Sequence, residues 1–165
     1  MNIHNITTYD MNNGDGLRTV LWVSGCTHHC KECQNPCTWD INDGVPFDEK
    51  AKQELFDDLS EDFIQGITFS GGDPLHPQNR DEVGMIIKEI RTNCPDKDIW
   101  LYTGFVFEEV LNMNLSYLKD IDVIVDGPFQ VEKKDLTLKW RGSSNQNVID
   151  VKESLAQNKT VLFCD

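Results

Sequence analysis

Four of the six cysteines fall between positions 26 and 37, as Cys26, Cys30, Cys33 and Cys37, while Cys94 and Cys164 lie far along the chain. Residues 1–10 are polar, with neither a basic start nor an apolar run, so no secretory leader is expected and the expected compartment is the cytoplasm. Thiols stay reduced there, and spacing this tight favours metal or cluster ligation over a disulfide framework. The first three cysteines read C-x3-C-x2-C. Thiolates so placed can converge on one face of a four-iron cubane and leave the fourth iron open to a ligand. Two closed sites compete with that reading. One is a structural zinc completed by Cys37, His28 or His29; the other is a four-cysteine cluster closed by Cys37 that only carries electrons.

The rest of the composition bounds the setting of this loop. A chain of 165 residues predicts one domain over 1–165, and no linker or repeat divides it. Hydrophobic residues make up 39%, enough for a real core, yet no apolar run approaches the ~18 residues that span a bilayer. The formal net charge of −13 argues against a nucleic-acid surface, because a polyanion would meet a field of its own sign. Neither a membrane nor a nucleic acid is therefore an expected partner.

The apolar, β-branched run at 17–23, bounded by Gly16 and by Ser24-Gly25, predicts a buried strand that leads into the cysteine loop. Residues 48–59 predict a helix on the spacing of Ala51, Leu55 and Leu59, with acidic residues at its start. A short strand is expected at 66–70. Asn79 and Glu82 have capping-box spacing ahead of the stripe Val83, Ile86, Ile87 and Ile90, which predicts a second helix. A strand at 98–103, a helix from 107 to 111 or on to 118, and a strand at 121–125 follow. The tail predicts a weak strand at 147–149, a short helix at 151–156 and a strand at 160–163. Such alternation implies parallel strands joined by helical crossovers. A full eightfold barrel needs about 250 residues, so this chain suits part of one or a small open sheet.

A second constellation, Ile67-Thr-Phe-Ser-Gly-Gly-Asp-Pro74, ends a β run in two glycines and a carboxylate. Gly71 and Gly72 allow close backbone approach to a ligand, and Asp73 can accept from an ammonium group. An ordinary strand-to-loop turn reads the same way. Position favours a ligand, since parallel α/β folds bind at the C-terminal ends of their strands, where the cysteine loop also lies.

Together these residues resemble the radical S-adenosylmethionine (SAM) superfamily. Asn13-Gly-Asp-Gly-Leu-Arg18, Val23-Ser-Gly-Cys26, Cys33-Gln-Asn-Pro36 and Thr38-Trp39 resemble its glycyl-radical-enzyme activases. Ser70-Gly-Gly-Asp-Pro-Leu-His-Pro-Gln-Asn79, Lys97-Asp-Ile-Trp100 with Thr103-Gly104, Asp122-Val-Ile-Val-Asp-Gly127 and Trp140-Arg-Gly-Ser-Ser-Asn-Gln146 are similar to the branch acting on the anaerobic ribonucleoside-triphosphate reductase. The resemblance implies an α/β fold: a partial TIM-type barrel of about five to six parallel strands with outer helices, forming one radical SAM domain. It also implies an oxidoreductase in which Cys26, Cys30 and Cys33 hold a 4Fe-4S cluster and SAM chelates the open iron. Reductive cleavage to methionine and a 5′-deoxyadenosyl radical would then remove hydrogen from a glycine Cα of that reductase, with an external low-potential donor such as flavodoxin supplying the electron. Gly71, Gly72 and Asp73 are expected to grip the SAM ammonium, with Thr103 and Asp126 in the ligand shell; a buried structural carboxylate is the alternative for Asp126. Arg18 and Arg141 would hold a carboxylate or dock the partner, or else form surface ion pairs. His28 and His29 read as loop residues and Cys37 as a bystander. The family usually has Pro where Asp15 stands, and often an aromatic where Gln34 stands.

Overall fold

The computed structural model describes residues 1–164; the end of the expected domain, Asp165, lies outside the described residues. In chain order the elements are β1 (Asn2–Asp10), β2 (Arg18–Val23), β3 (Val45–Pro46), α1 (Glu49–Leu59), β4 (Gly66–Gly71), α2 (Arg80–Asn93), β5 (Asp98–Tyr102), α3 (Phe107–Asn112), β6 (Val123–Asp126), β7 (Asn147–Asp150) and α4 (Val151–Gln157). The seven strands form one sheet in the order β3-β1-β2-β4-β5-β6-β7. Strands β2, β4, β5 and β6 run parallel, joined in turn by α1, α2 and α3 as crossovers. Their near-continuous burial is what covering on both faces demands, and it is why they read as unbroken apolar runs.

Alternation along each strand sorts side chains to two faces. Leu21, Val23, Ile67, Phe69, Ile99, Leu101 and Ile124 join Leu55 and Leu59 of α1, Val83, Ile87 and Ile90 of α2, and Val110 of α3 in the main core. Each such side chain, fully buried, stabilises the fold by about 1.5–3 kcal/mol. The opposite face carries a smaller cluster of Trp100, Val123, Val125 and Val148, against which Tyr102 and Trp140 pack.

The structure departs from the sequence expectations at identifiable places. The parallel set has four strands where five to six were expected. Residues 127–146 contain no α-helix to carry the chain across the sheet, so β7 returns beside β6 antiparallel. β1, not expected, adds antiparallel to β2, and β3 pairs with its first residues. Helix α3 stops at Asn112, two residues before Asn114 takes a left-handed backbone (φ 53°), and a separate 3-10 turn follows at Leu118–Asp120. The tail forms only a bridge between Leu162 and Ile149 in place of a strand at 160–163.

The two helix starts differ. Asp48 caps α1 by accepting from the Lys50 and Ala51 amides, a contact worth about 1 kcal/mol. Asn79 precedes α2, yet no capping box forms. Its side-chain amide donates to the Ser24 carbonyl at 2.7 Å and the Asp73 carbonyl at 3.3 Å, while Glu82 pairs with the Met1 ammonium. The helix start is given over to tying the loop after β2 to the turn after β4.

Candidate cluster and ligand site at the strand ends

Parallel pairing brings the C-terminal ends of β2, β4, β5 and β6 to one edge of the sheet. Val23 pairs with Gly71, and the Gly72 amide then donates to Val23 O (2.8 Å) and the Asp73 amide to Gly25 O (2.7 Å). The cysteine loop is thus stitched to the Gly-Gly-Asp turn before Cys26. Gly71 has φ +101°, a backbone that favours glycine. At Gly72 an added Cβ would lie 2.5 Å from Gly25 O and 2.9 Å from Thr38 O. The close approach that Gly72 allows is therefore that of the cysteine loop's own backbone.

Cys26, Cys30 and Cys33 are free and half-buried, whereas Cys37 is exposed. Burial pushes the Cys26 thiol up to about 11, against the His28 and His29 backbone amides that act on its sulfur, and burial also raises the Cys30 thiol, with the Phe129 amide opposing. The Asn35 amide donates to Cys33 Sγ at 3.4 Å. Soft thiols on one loop, met by backbone N–H groups, fit an iron–sulfur cluster, whose sulfurs are tuned by such donors. With raised thiol pKa values, loading must release protons as the cation's charge takes their place. Among the described residues no three His, Cys, Asp or Glu side chains are gathered tightly enough to chelate a single metal ion; a cubane spans more space.

Asp73 is 1% exposed. Its carboxylate accepts from the Leu75 amide (2.8 Å), the Thr103 hydroxyl (2.9 and 3.0 Å) and the Gly104 amide (3.0 Å), and pairs with His28 Nε2 (2.8 Å). Thr103, expected in a ligand shell, thus spends its hydroxyl on Asp73. The hydrogen bond to Asp73 raises the His28 pKa, against the effect of burial. His28 is then no free loop residue; the sequence signal for it was only a polar residue midway along the loop. His29 stacks on Trp39, with ring centroids 4.6 Å apart.

Two other expected site residues have different work. Asp126 accepts from the Phe107 amide at the start of α3 (2.8 Å) and from the amide and side chain of Asn147 (2.9 Å each), so it clamps α3 and β7 to β6. Arg18, 0% exposed, lies at the other end of β2. It donates to Thr68 Oγ1, Asp15 O and Ile67 O, pairs with Asp98 and lies 5.1 Å from the Trp100 ring. Its polar reach is spent inside the fold.

Arg141 sits elsewhere, lining a cleft of about 420 Å³ beside the sheet face that carries Trp22, Ser70 and Tyr102. Cys33, Asn35, Trp140 and Gln146 also line it, so the cleft opens onto the cysteine loop. Its volume lies within the ~300–1,000 Å³ of small-molecule sites. Gln146 Oε1 accepts from the Gly142 and Ser143 amides and holds the turn after Arg141, whose own Nε is buried without a partner.

Comparison with known proteins adds chemistry to this geometry. A family model described as a 4Fe-4S single cluster domain matches residues 12–149. The anaerobic ribonucleoside-triphosphate reductase-activating protein of Escherichia coli (strain K12) is 45% identical over 150 residues, covering 90% of this chain and 97% of its own. Its namesake in Haemophilus influenzae is 45% identical over 139 residues, covering 83% and 90%. That of Enterobacteria phage T4 is 44% identical over 150 residues, covering 90% and 93%.

Proposed function

This chain belongs to the family of anaerobic ribonucleoside-triphosphate reductase-activating proteins, and from that premise we propose that it activates such a reductase by forming a glycyl radical on it at the expense of SAM. The observation that carries the proposal is the stitching of a three-thiol loop to the Gly-Gly-Asp turn, with Cys33 of that loop and Ser70 before that turn both lining the cleft. Cys26, Cys30 and Cys33 would hold the 4Fe-4S cluster, with Cys37, exposed, outside the ligand set. Held there, the cluster would supply one low-potential electron, received from an external donor such as flavodoxin, for reductive cleavage of the C5′–S bond of SAM into methionine and a 5′-deoxyadenosyl radical. Transfer of a hydrogen atom from a glycine Cα to that radical would leave 5′-deoxyadenosine and the glycyl radical.

The chain's own residues bind, orient and exclude water. The carbonyl oxygens of Gly71 and Gly72 would accept from the SAM ammonium, whereas Asp73 supports their turn, with the Thr103 hydroxyl donating to it. Arg141 lines the cleft, donates from one Nη to Gln146 O (3.3 Å), and would hold a carboxylate of the ligand or of the partner loop. We read the open sheet as an arc of a TIM-type barrel forming a single radical SAM domain. Strand–helix alternation and ligation at the strands' C-terminal ends support that reading.

The test is anaerobic reconstitution of the chain followed by incubation with SAM and dithionite. Formation of 5′-deoxyadenosine and methionine supports the proposal. Iron and labile sulfide without SAM cleavage would leave an electron carrier, and zinc without sulfide a binding module.

A further inference from the structure

His28 lies two residues after Cys26 and two before Cys30, and its ring is built into the fold. Nε2 is 2.8 Å from Asp73 Oδ2. The ring meets Phe105 edge-on, with centroids 4.6 Å apart, and stands so close over Gly104 that a Cβ there would be 2.3 Å from His28 Cδ2. Asp73 receives this ring together with the Thr103 hydroxyl and the Gly104 and Leu75 amides. Among the described residues neither Lys nor Arg pairs with this carboxylate, and His28 Nε2 is the ring nitrogen that reaches it. The loops that leave β2, β4 and β5 therefore meet at one buried carboxylate, and the cysteine loop's share in that knot is a single imidazole.

We propose that His28 is a positioning residue: its hydrogen bond to Asp73 is a strut that sets the cysteine loop at a fixed distance from the Gly71-Gly72 turn. A loop held only by its three thiolates and its two ends can pivot about whatever the thiolates bind. A strut from the middle of that loop removes the pivot. Catalysis that depends on placing a ligand within near-attack distance is sensitive to this, since about 1 Å of misplacement costs ~100-fold in rate. Groups behind the ligands of a metal centre act in the same way, and losing one typically costs about 10–100-fold. The inference rests on the reading that SAM binds between the cysteine loop and the Gly-Gly-Asp turn, and it assigns His28 to neither the cluster nor the substrate.

The experiment compares the reconstituted full chain with His28→Leu and His28→Gln. Gln carries an amide N–H the same number of bonds from Cβ as the imidazole Nε2. Iron and sulfide content, SAM affinity by calorimetry and the EPR spectrum of the reduced cluster with and without SAM are measured for each. The expected result is full cluster content in all three proteins, SAM affinity about tenfold weaker in His28→Leu, a smaller SAM-dependent change in its EPR spectrum, and recovery of both in His28→Gln. Wild-type affinity in His28→Leu overturns the proposal. So does loss of the cluster in that variant, which would make His28 a requirement for assembly, or a His28→Gln protein as weak as His28→Leu. A wild-type protein whose spectrum and calorimetry do not respond to SAM brings down the underlying function, and the strut with it.

Discussion

Single residues decide how closely the two motifs approach. At Gly72 the atoms that a Cβ would meet, Gly25 O and Thr38 O, belong to backbone that no rotamer change can move. Gly72→Ala is expected to lose about 1–3 kcal/mol from overpacking, read as a lower thermal midpoint of the metal-free chain; an unchanged midpoint would show that the loop can slide. Asp73 carries a similar load. Removing its carboxylate strands the Thr103 hydroxyl and two amides, each costing about 1–3 kcal/mol when buried without a partner. Asp73→Ala should therefore destabilise the metal-free protein before any effect on SAM is measured. Equal chemical denaturation midpoints for variant and wild type would return Asp73 to the role of a free ligand acceptor. Among the cysteines, Cys26→Ala, Cys30→Ala and Cys33→Ala should each abolish the cluster's four-iron content, whereas Cys37→Ala should keep it. Loss of the cluster in Cys37→Ala would favour a closed, four-cysteine site.

At the scale of elements, the ends of the parallel strands opposite the site are fastened by charge. Arg18 on β2 spans β4 and reaches Asp98 on β5, and Lys97 donates to the Glu61 and Ile64 carbonyls. Arg18→Met leaves Asp98 without its cation; because Asp98 keeps some access to water, the expected loss is about 2–3 kcal/mol, below the ~3–5 of a fully buried pair. A second tie joins α2, α4 and the entry to β6, where Asp122 pairs with Arg91 and Lys152 and accepts from the Ile99 amide. Burial raises the Asp122 pKa, but these three hydrogen bonds outweigh it and the net shift is downward. A carboxylate with a depressed folded pKa contributes stability that is present above its unfolded value. That contribution fades as pH falls below the ordinary carboxylate range toward the folded pKa. Asp122→Asn should therefore cost stability at pH 7 and much less at pH 2–3. Urea midpoints for both proteins across that range measure it, and a pH-independent difference would deny the carboxylate its ionic role.

The whole molecule leaves its cleft open on the sheet face that the main core does not cover. A primary alkyl radical formed there would be quenched by solvent or side chains unless something closes over it. The partner reductase is the covering surface that the proposed function supplies. SAM cleavage by this chain alone should then be slow or uncoupled, and addition of an anaerobic ribonucleotide reductase should yield a persistent glycyl radical, seen as an EPR doublet. SAM consumed with no radical on any reductase tested would sink the partner while leaving the SAM chemistry intact.

Short-range pattern carries much of this protein. The run at 17–23, the stripe from Val83 to Ile90 and the apolar segments that became β4, β5 and β6 are legible because burial on one or both faces imposes a period on neighbouring residues. The cysteine spacing is legible because the four closely spaced thiols lie on one stretch of chain. β1 escaped notice because most of its residues are half-exposed and its polar residues mask Ile3, Ile6 and Tyr9. The capping-box spacing at Asn79 and Glu82 misled, since the side chains went to Ser24, Asp73 and Met1, from 6 to 81 positions away. For the same reason only the tertiary structure could assign Arg18 and Asp126 to the framework, Arg141 to the cleft and His28 to Asp73. A charged or polar side chain carries no periodic signature of its partner; where its hydrogen bonds go is decided when strands distant in sequence are laid side by side.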